Sequence, residues 1–163
     1  MKLIKKPSLG SLKKWKIFEH IPDDELKQIH TKIEYCHYDH EESIIHENSI
    51  GDHIFVLASG KVRIEKQVRE NESEVLGFYD EVGGLFGEMA LLEDKPRSAG
   101  MIADSDCEVL AVSKEDFLEL VHSVPLFPLS VAKNISQFLR ETDERLINKL
   151  RKENDELRHM NYR

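Results

Sequence analysis

Short segments rich in β-forming residues occupy the middle of the chain. They are residues 44–45, 54–58, 62–65, 75–79 and 108–112. Gly51-Asp52 and Ser59-Gly60 are turn signals between them. Evenly spaced short strands without long helices between them predict a closed antiparallel sandwich or barrel. The polar segment 68–73 is predicted to be an exposed hairpin tip.

Helical patterns flank these β segments. Residues 9–33 are predicted to be helical, with Leu12 and Phe18 packed inward and a new helix start at Pro22-Asp23-Asp24-Glu25. A second helix is expected to begin at Ser113, because serine is a favoured N-cap and acidic residues follow it. Pro125 and Pro128 bracket a break after that helix.

The C-terminal segment 129–159 contains no Gly and no Pro and is predicted to be one long helix. Its apolar residues recur in steps of 4, 7, 4 and 7, a coiled-coil-like stripe with a shift in register; they are Ile135, Leu139, Leu146, Leu150 and Leu157. A helix of roughly 30 residues is about 45 Å long, which is more than a small domain covers. We expect a parallel homodimer along this stripe. The alternatives are a helix folded back on its own barrel, or one that frays beyond about residue 150.

The length of 163 residues predicts one domain and an appendage: residues 1–125 as the β domain with N-terminal helices, and residues 126–163 as the long helix. The net charge of -8 argues against a domain built to bind nucleic acid. We expect no membrane span and a cytoplasmic location, since apolar runs are short and there are two cysteines. Six lysines precede Glu19, either as a solvated helix face or as a contact for an acidic partner or lipid surface.

The segment from Phe86 to Ala99 carries the clearest candidate site. It sets Gly87-Glu88 before the apolar run 89–92, and Pro96-Arg97 before two small residues. The guanidinium of Arg97 suits a phosphate, because its planar fork makes charge-assisted hydrogen bonds. Glu88 can accept from a sugar hydroxyl, and a short helix over 89–92 would direct backbone amides at an anion. An ion pair between Arg97 and the acidic residues at 93–94 is the simpler alternative.

Catalytic and metal-binding patterns are not readable in the chain. His37, His40, His46 and His53 cluster in sequence, but their spacing does not match that of cupin-type metal sites, so we expect no metal. No Walker-type Gly-x-x-x-x-Gly-Lys-Ser/Thr motif occurs, and we expect no enzymatic activity.

The segment from about Leu12 to Val121 closely resembles the cyclic-nucleotide-binding domain family, on Gly51-Asp52, Phe86-Gly87-Glu88 and Pro96-Arg97-Ser98-Ala99. The resemblance implies an antiparallel double-stranded β-roll or jelly roll that is mainly β, with flanking helices. It implies a cyclic-nucleotide site at Phe86, Gly87, Glu88, Met89, Ala90, Arg97, Ser98 and Ala99. In that family Glu88 would bind the ribose 2'-hydroxyl, and Arg97 the phosphate with the amides of Ala90 and Ser98. Asn48-Ser49 departs from the glycine-containing turn that is frequent there.

Residues 139–146 resemble the dimer helix of bacterial catabolite-activator-type regulators, in which a Thr-Ser pair contacts the adenine. Thr142 matches the threonine, whereas Asp143 replaces the serine. The resemblance implies a preference for cAMP, with cGMP possible, and a homodimer that signals to a downstream protein. Those regulators continue into a DNA-binding domain, so the chain is expected to be either a stand-alone sensor or the sensory fragment of a transcription regulator. A dimerisation scaffold with a vestigial or differently occupied pocket is the remaining alternative.

Overall fold

Two antiparallel sheets form the body of the chain in the computed structural model, which describes residues 1–70 and 72–161. The strands are β1 (Lys2–Leu3), β2 (Glu34–Tyr38), β3 (Ser43–Ile45), β4 (His53–Ser59), β5 (Val62–Arg69), β6 (Glu72–Tyr79), β7 (Leu85–Phe86), β8 (Gly100–Ala103) and β9 (Cys107–Ser113). One sheet has the order β1-β2-β9-β4-β7 and the other β3-β8-β5-β6. All the predicted β segments lie in strands, and the predicted antiparallel roll with flanking helices is confirmed.

The helices are α1 (Leu9–Leu12), α2 (Asp23–Lys32), α3 (Glu88–Glu93), α4 (Lys114–Ser123) and α5 (Phe127–Asn161). Ser113 caps α4 as predicted, because its Oγ accepts a hydrogen bond of 3.1 Å from the backbone N–H of Asp116. α3 confirms the short helix expected after Gly87. Pro128 lies in the first turn of α5, where its missing N–H leaves no helical bond unmade.

Strand β4 contributes to both hydrophobic cores, the one beneath the helices and the one between the two sheets. Its alternate residues belong to two different cores: Ile54 and Val56 pack toward the helices, whereas Phe55 and Leu57 pack between the two sheets. Successive side chains of a strand point to opposite faces, so a strand buried on both faces reads as a continuous apolar run. The run at 54–58 is therefore a central strand covered on both sides.

Residues 13–21 correct the prediction of helix throughout 9–33. Between α1 and α2 the chain makes successive turns in which the N–H groups of Trp15, Phe18 and Ile21 each donate to the carbonyl three residues earlier. The spacing of three residues between these apolar side chains reflects such turns, whereas an α-helix repeats every 3.6 residues. Leu12, Phe18 and Ile21 are buried nonetheless.

The predicted exposed hairpin tip at 68–73 is confirmed. β5 and β6 pair out to Arg69 and Glu72, and the described side chains of this segment are exposed. One other local prediction was wrong. The lysine-rich N-terminus is not a single helix face, since Lys2 and Leu3 form β1 against β2.

Helix α5 has two distinct halves. Phe127 and Val131 are buried in the helical core, and Ile135 and Phe138 pack against the domain. From Thr142 to Arg158 every residue is exposed. None of the helices in the described residues is both long and apolar enough to cross a membrane.

Candidate functional site

The segment from Phe86 to Ala99 folds as a strand end, a short helix and a return loop. Phe86 ends β7, and Gly87 turns the chain into α3 with a φ of 79°. That angle lies in the left-handed region, which glycine adopts at little energetic cost. A Cβ atom at Gly87 would also stand 2.9 Å from Nη1 of Arg97. Glycine therefore both makes the turn and leaves space for the arginine.

Arg97 is a buried cation that binds backbone carbonyls. It is 5% exposed, and its guanidinium donates to the carbonyl oxygens of Gly87 and His53. Burial lowers the pKa of this guanidinium, whereas the charges of Asp52 and Glu88 act to raise it. Arginine stays protonated in proteins, and a buried charge is normally balanced by an opposite charge. Because both of its acceptors are neutral, Arg97 is suited to receive an anion.

The acidic residues near Arg97 in sequence bind lysines instead. Oε2 of Glu93 lies 2.8 Å from Nζ of Lys95, and Asp94 pairs with Lys114. The simpler alternative, a loop ion pair between Arg97 and one of these two acids, is therefore not the arrangement in the structure.

Asn48 and Ser49 hold the backbone of Arg97. The N–H of Asn48 donates to the carbonyl of Arg97 and the N–H of Arg97 donates to the carbonyl of Ser49, both at 2.9 Å. Asn48 has a φ of 62°, a left-handed conformation that asparagine tolerates better than most residues. The Asn48-Ser49 turn, which lacks the glycine that is frequent in the family, therefore still adopts a left-handed backbone at Asn48. The sequence identified this departure, but its contact with Arg97 is visible only in the fold.

Glu88 is the first residue of α3 and is partly buried. Burial raises the pKa of its carboxyl group, while a bond from its own backbone amide and the charge of Arg97 lower it. A carboxylate accepts hydrogen bonds readily and has room for hydroxyl donors. The site therefore combines an acceptor for hydroxyl groups with a cation for an anionic group.

Gly87, Glu88 and Arg97 open into one cavity of about 310 Å3. Eight of the predicted site residues line it: Phe86, Gly87, Glu88, Met89, Ala90, Arg97, Ser98 and Ala99. The rest of its lining is largely apolar and comes from both sheets and α5, through Ile45, Ile64, Leu76, Tyr79, Leu85, Met101 and Phe138, with Glu93, Lys95 and Pro96 completing it. The volume lies near the lower end of small-molecule pockets, which span roughly 300–1,000 Å3. A compact ligand with a charged end and a flat apolar end matches this lining.

Thr142, the ninth predicted residue, lies outside the cavity lining. Its side chain is exposed, and its Oγ1 donates to the carbonyl of Phe138 at 2.8 Å. Phe138, one helical turn earlier, lines the cavity and packs on Tyr79 with ring centroids 5.4 Å apart. The prediction missed Phe138, although its position four residues before Thr142 places both on one face of the helix.

The clustered histidines lie near acidic side chains. Ring nitrogens of His37, His40 and His53 each lie 3.2 Å from a carboxylate of a neighbouring residue. His37 also comes near Asp39 and Asp106, a group that could approach one ion, but both acids are exposed. The Asp106 carboxylate already accepts from the backbone N–H of His40 at 2.9 Å.

Comparison with known proteins identifies the family. Residues 35–123, more than half of the chain, match the family model of the cyclic nucleotide-binding domain. The chain is 35% identical over 106 residues to the cyclic AMP receptor protein of Thermus thermophilus, covering 65% of this chain and 49% of that protein. It is 33% identical over 106 residues to human cGMP-dependent protein kinase 2, covering 64% of this chain and 14% of the kinase. The chain thus spans half or less of these curated relatives.

Solved structures agree. The chain superposes on the Thermus thermophilus catabolite activator protein with a TM-score of 0.66 and 30% identity, over 80% of this chain and 61% of that one. It also superposes on a cyclic nucleotide-binding domain from Methylobacillus flagellatus with a TM-score of 0.70, over 86% of this chain and 81% of that one. At 19% identity, the second match shows the fold alone.

Proposed function

The chain belongs to the cyclic nucleotide-binding domain family, and we propose that it is a cAMP-preferring sensor that acts by binding and signals through α5 as a homodimer. The family makes it a cyclic nucleotide-binding regulatory domain. The base preference, the residues of the site, the dimer and a downstream protein partner are the proposed parts. The observation that carries the site is the buried guanidinium of Arg97 in the cavity wall.

We propose that the cyclic phosphate binds at Arg97. The guanidinium uses two N–H groups for carbonyls, and an arginine has five, so donors remain for phosphate oxygens. Ser98 and Ala90 line the same cavity, and their amides are the expected additional donors. The ribose 2'-hydroxyl is assigned to Glu88, whose partly buried carboxyl gains a hydrogen-bond donor when the ligand is present.

The signal is proposed to pass to α5 as a shift between two positions of this helix. Phe138 already lines the cavity, so a bound base would contact α5 directly. Asn134 connects the same helix to the strand before the site: its side chain accepts from the N–H of Leu85 at 2.9 Å and donates to the carbonyl of Gly83 at 3.4 Å. We accordingly propose residues 1–125 as the binding unit and residues 126–163 as the output helix.

The preference for cAMP rests on Thr142, one turn beyond Phe138 on α5. The matched relatives include both a cyclic AMP receptor protein and cGMP-dependent kinases, so family membership leaves the base open. A cytoplasmic location is proposed because Cys36 and Cys107 are both free thiols.

Calorimetric titration with cAMP and cGMP tests the proposal. Wild type should bind both, and cAMP more tightly. Arg97→Ala should weaken binding by about 2–5 kcal/mol, roughly 30-fold or more, because it removes one member of a buried charge pair. The affinity of Arg97→Lys should lie between those of wild type and Arg97→Ala, since lysine keeps the charge but lacks the planar guanidinium fork. Arg69→Ala is the matched control, with an arginine side chain 81% exposed on the hairpin.

A second ligand tests the role of Glu88. Removing the ribose hydroxyl with 2'-deoxy-cAMP should weaken binding to wild type but make little further difference in Glu88→Ala. Undiminished binding of cAMP to a folded Arg97→Ala variant would overturn the site. If wild type binds neither nucleotide and its melting temperature is unchanged by them, the scaffold alternative is the correct one.

A further inference from the structure

A second cavity also reaches Arg97. Its volume is about 430 Å3, against about 310 Å3 for the cavity that holds Gly87, Glu88 and Arg97. The two cavities have Ile45 and Arg97 in common. The interior of the second one is built from buried residues of the core between the two sheets, namely Tyr38, Ile44, Ile45, Phe55 and Ala111. It is therefore a second opening into the roll, and it meets the first cavity at the buried guanidinium.

Tyr38, the last residue of β2, brings an unused hydroxyl to this second cavity. The residue is 5% exposed, and its Oη makes no hydrogen bond within the described residues 1–70 and 72–161, although a buried tyrosine normally finds a partner for its O–H. No fully buried side-chain oxygen or nitrogen in that part of the chain lacks a partner. The hydroxyl of Tyr38 therefore reaches accessible space, and the second cavity is the space that Tyr38 lines.

The interior thus offers two hydrogen-bond donors. Burial, together with the charges of nearby acidic groups, raises the pKa of Tyr38 to about 12, so its hydroxyl keeps its proton at neutral pH. Arg97 uses two of its five N–H groups for the carbonyls of Gly87 and His53, and three remain. Because both acceptors are neutral, the positive charge is available to an anion in either cavity.

We propose that the second cavity binds a small monocarboxylate with an apolar body. Its carboxylate accepts hydrogen bonds from Tyr38 and Arg97, since a guanidinium fork and a hydroxyl are well suited to carboxylate oxygens. Its body packs against Phe55 and Ala111. The volume lies within the range of small-molecule pockets, roughly 300–1,000 Å3.

The mouth of the second cavity favours a ligand with a single negative charge. Glu34 and Asp52 line it and are exposed. Among the groups there that can be cationic, the Met1 ammonium and Nδ1 of His53 each lie within 3.2 Å of a carboxylate oxygen, and Nδ1 of His46 lies 3.3 Å from a serine hydroxyl. Two acidic side chains repel a dianion more strongly than a monoanion.

A ligand in the second cavity acts on the nucleotide through Arg97. A carboxylate that takes N–H groups of this guanidinium also neutralises the charge that attracts a cyclic phosphate. The two anions lie in different cavities, so both can be bound at once, but each weakens the binding of the other by the same factor. The site itself goes beyond the proposed function, whereas this effect on cAMP rests on it.

Calorimetric titration of the full chain with phenylacetate, a compact apolar monocarboxylate, tests the site. Wild type should bind it, and the neutral phenylacetamide should bind about tenfold more weakly or worse, because it presents no charge to Arg97. Tyr38→Phe should weaken phenylacetate binding about tenfold or more, the scale for one hydrogen bond to a charged group. The melting temperature and cAMP affinity of this variant should match those of wild type.

Tyr35→Phe is the matched control. Tyr35 lies on the opposite face of β2, and its hydroxyl donates to Glu108. That variant should bind phenylacetate as wild type does. No binding of phenylacetate to wild type, equal binding of the acid and the amide, or equal binding by wild type and a folded Tyr38→Phe would each overturn the proposal.

Titrations of cAMP at rising phenylacetate concentrations separate the second cavity from the first. The apparent Kd of cAMP should rise and then level off, because the two ligands can be bound together. A rise without limit would mean that phenylacetate binds in the nucleotide cavity itself, which would also overturn the proposal.

The same experiments distinguish this site from the proposed function. Phenylacetate binding that depends on Tyr38, in a chain that binds no cyclic nucleotide, would overturn the proposed function and leave the second site standing. Normal cAMP binding in a chain that does not bind phenylacetate would do the reverse.

Discussion

Replacing Gly87 by alanine should damage both the fold and the ligand site. The φ of 79° at this position becomes unfavourable once a Cβ is present, by about 1–2 kcal/mol for a left-handed residue. The new methyl group would also stand 2.9 Å from Nη1 of Arg97, 3.1 Å from Cδ1 of Ile45 and 3.3 Å from Cδ2 of Phe55. The first of these atoms ends a flexible side chain, so the arginine is the group that should move.

The expected loss of unfolding free energy is thus about 1–2 kcal/mol from the backbone, with a smaller contribution from crowding. For a chain of this size that corresponds to a fall in melting temperature of roughly 2–8 °C. Urea unfolding measures the loss directly, provided that the slope m is unchanged. Calorimetry of the folded variant should also show weaker cAMP binding than wild type, because Arg97 is displaced.

Gly77→Ala is the matched control. Gly77 lies in β6 with no heavy atom within 4 Å of the position that its Cβ would take, and its backbone is not left-handed. That variant should be as stable as wild type or up to about 1 kcal/mol more stable, since alanine restricts the unfolded chain. If Gly87→Ala unfolds at the same urea concentration as wild type, the account of this turn is wrong.

Three further perturbations have defined outcomes. Burial raises the pKa of Glu88, so the folded state binds that proton more tightly than the unfolded chain, and stability falls as pH rises between the two pKa values. Glu88→Gln should therefore become more stable relative to wild type as pH increases from about 4. Urea unfolding midpoints of both proteins, measured across this pH range, test the difference. Ser113→Ala should lose about 1 kcal/mol by removing the cap of α4, and Ser123→Ala at the end of that helix should lose less in the same assay. Asn134→Ala should destabilise by about 1–3 kcal/mol and speed hydrogen exchange at Leu85, whose buried N–H loses its acceptor.

Much of the fold was predictable because its signals are local. The segments 54–58 and 108–112 are runs of mainly β-forming residues that are long enough to predict central strands. They pair with each other as β4 and β9. Short strands such as β7 and β8 escaped prediction, since two to four residues carry no periodicity and pairing partners alone make them strands. The same limit explains residues 13–21, where tertiary burial selects turns over a helix.

The candidate site likewise has a part that local sequence predicts and a part that depends on distant residues. Gly87, Glu88 and Arg97 lie within eleven consecutive residues, so their chemistry was readable as one motif. Phe138 and Asn48 are distant in sequence and gain their roles only when α5 and the loop after β3 fold against that motif. The role of Thr142 remains a prediction.

The sequence by itself determined the closed antiparallel β architecture, the motif at 86–99 and the long helix, because β-forming segments, turn residues and helix propensity act over a few neighbouring residues. Only the tertiary structure decided that Arg97 is buried against two carbonyls, that Phe138 lines the cavity and that α5 leaves the domain after Glu141. Burial and long-range hydrogen bonds depend on which distant segments meet, and that information appears only when the sheets close.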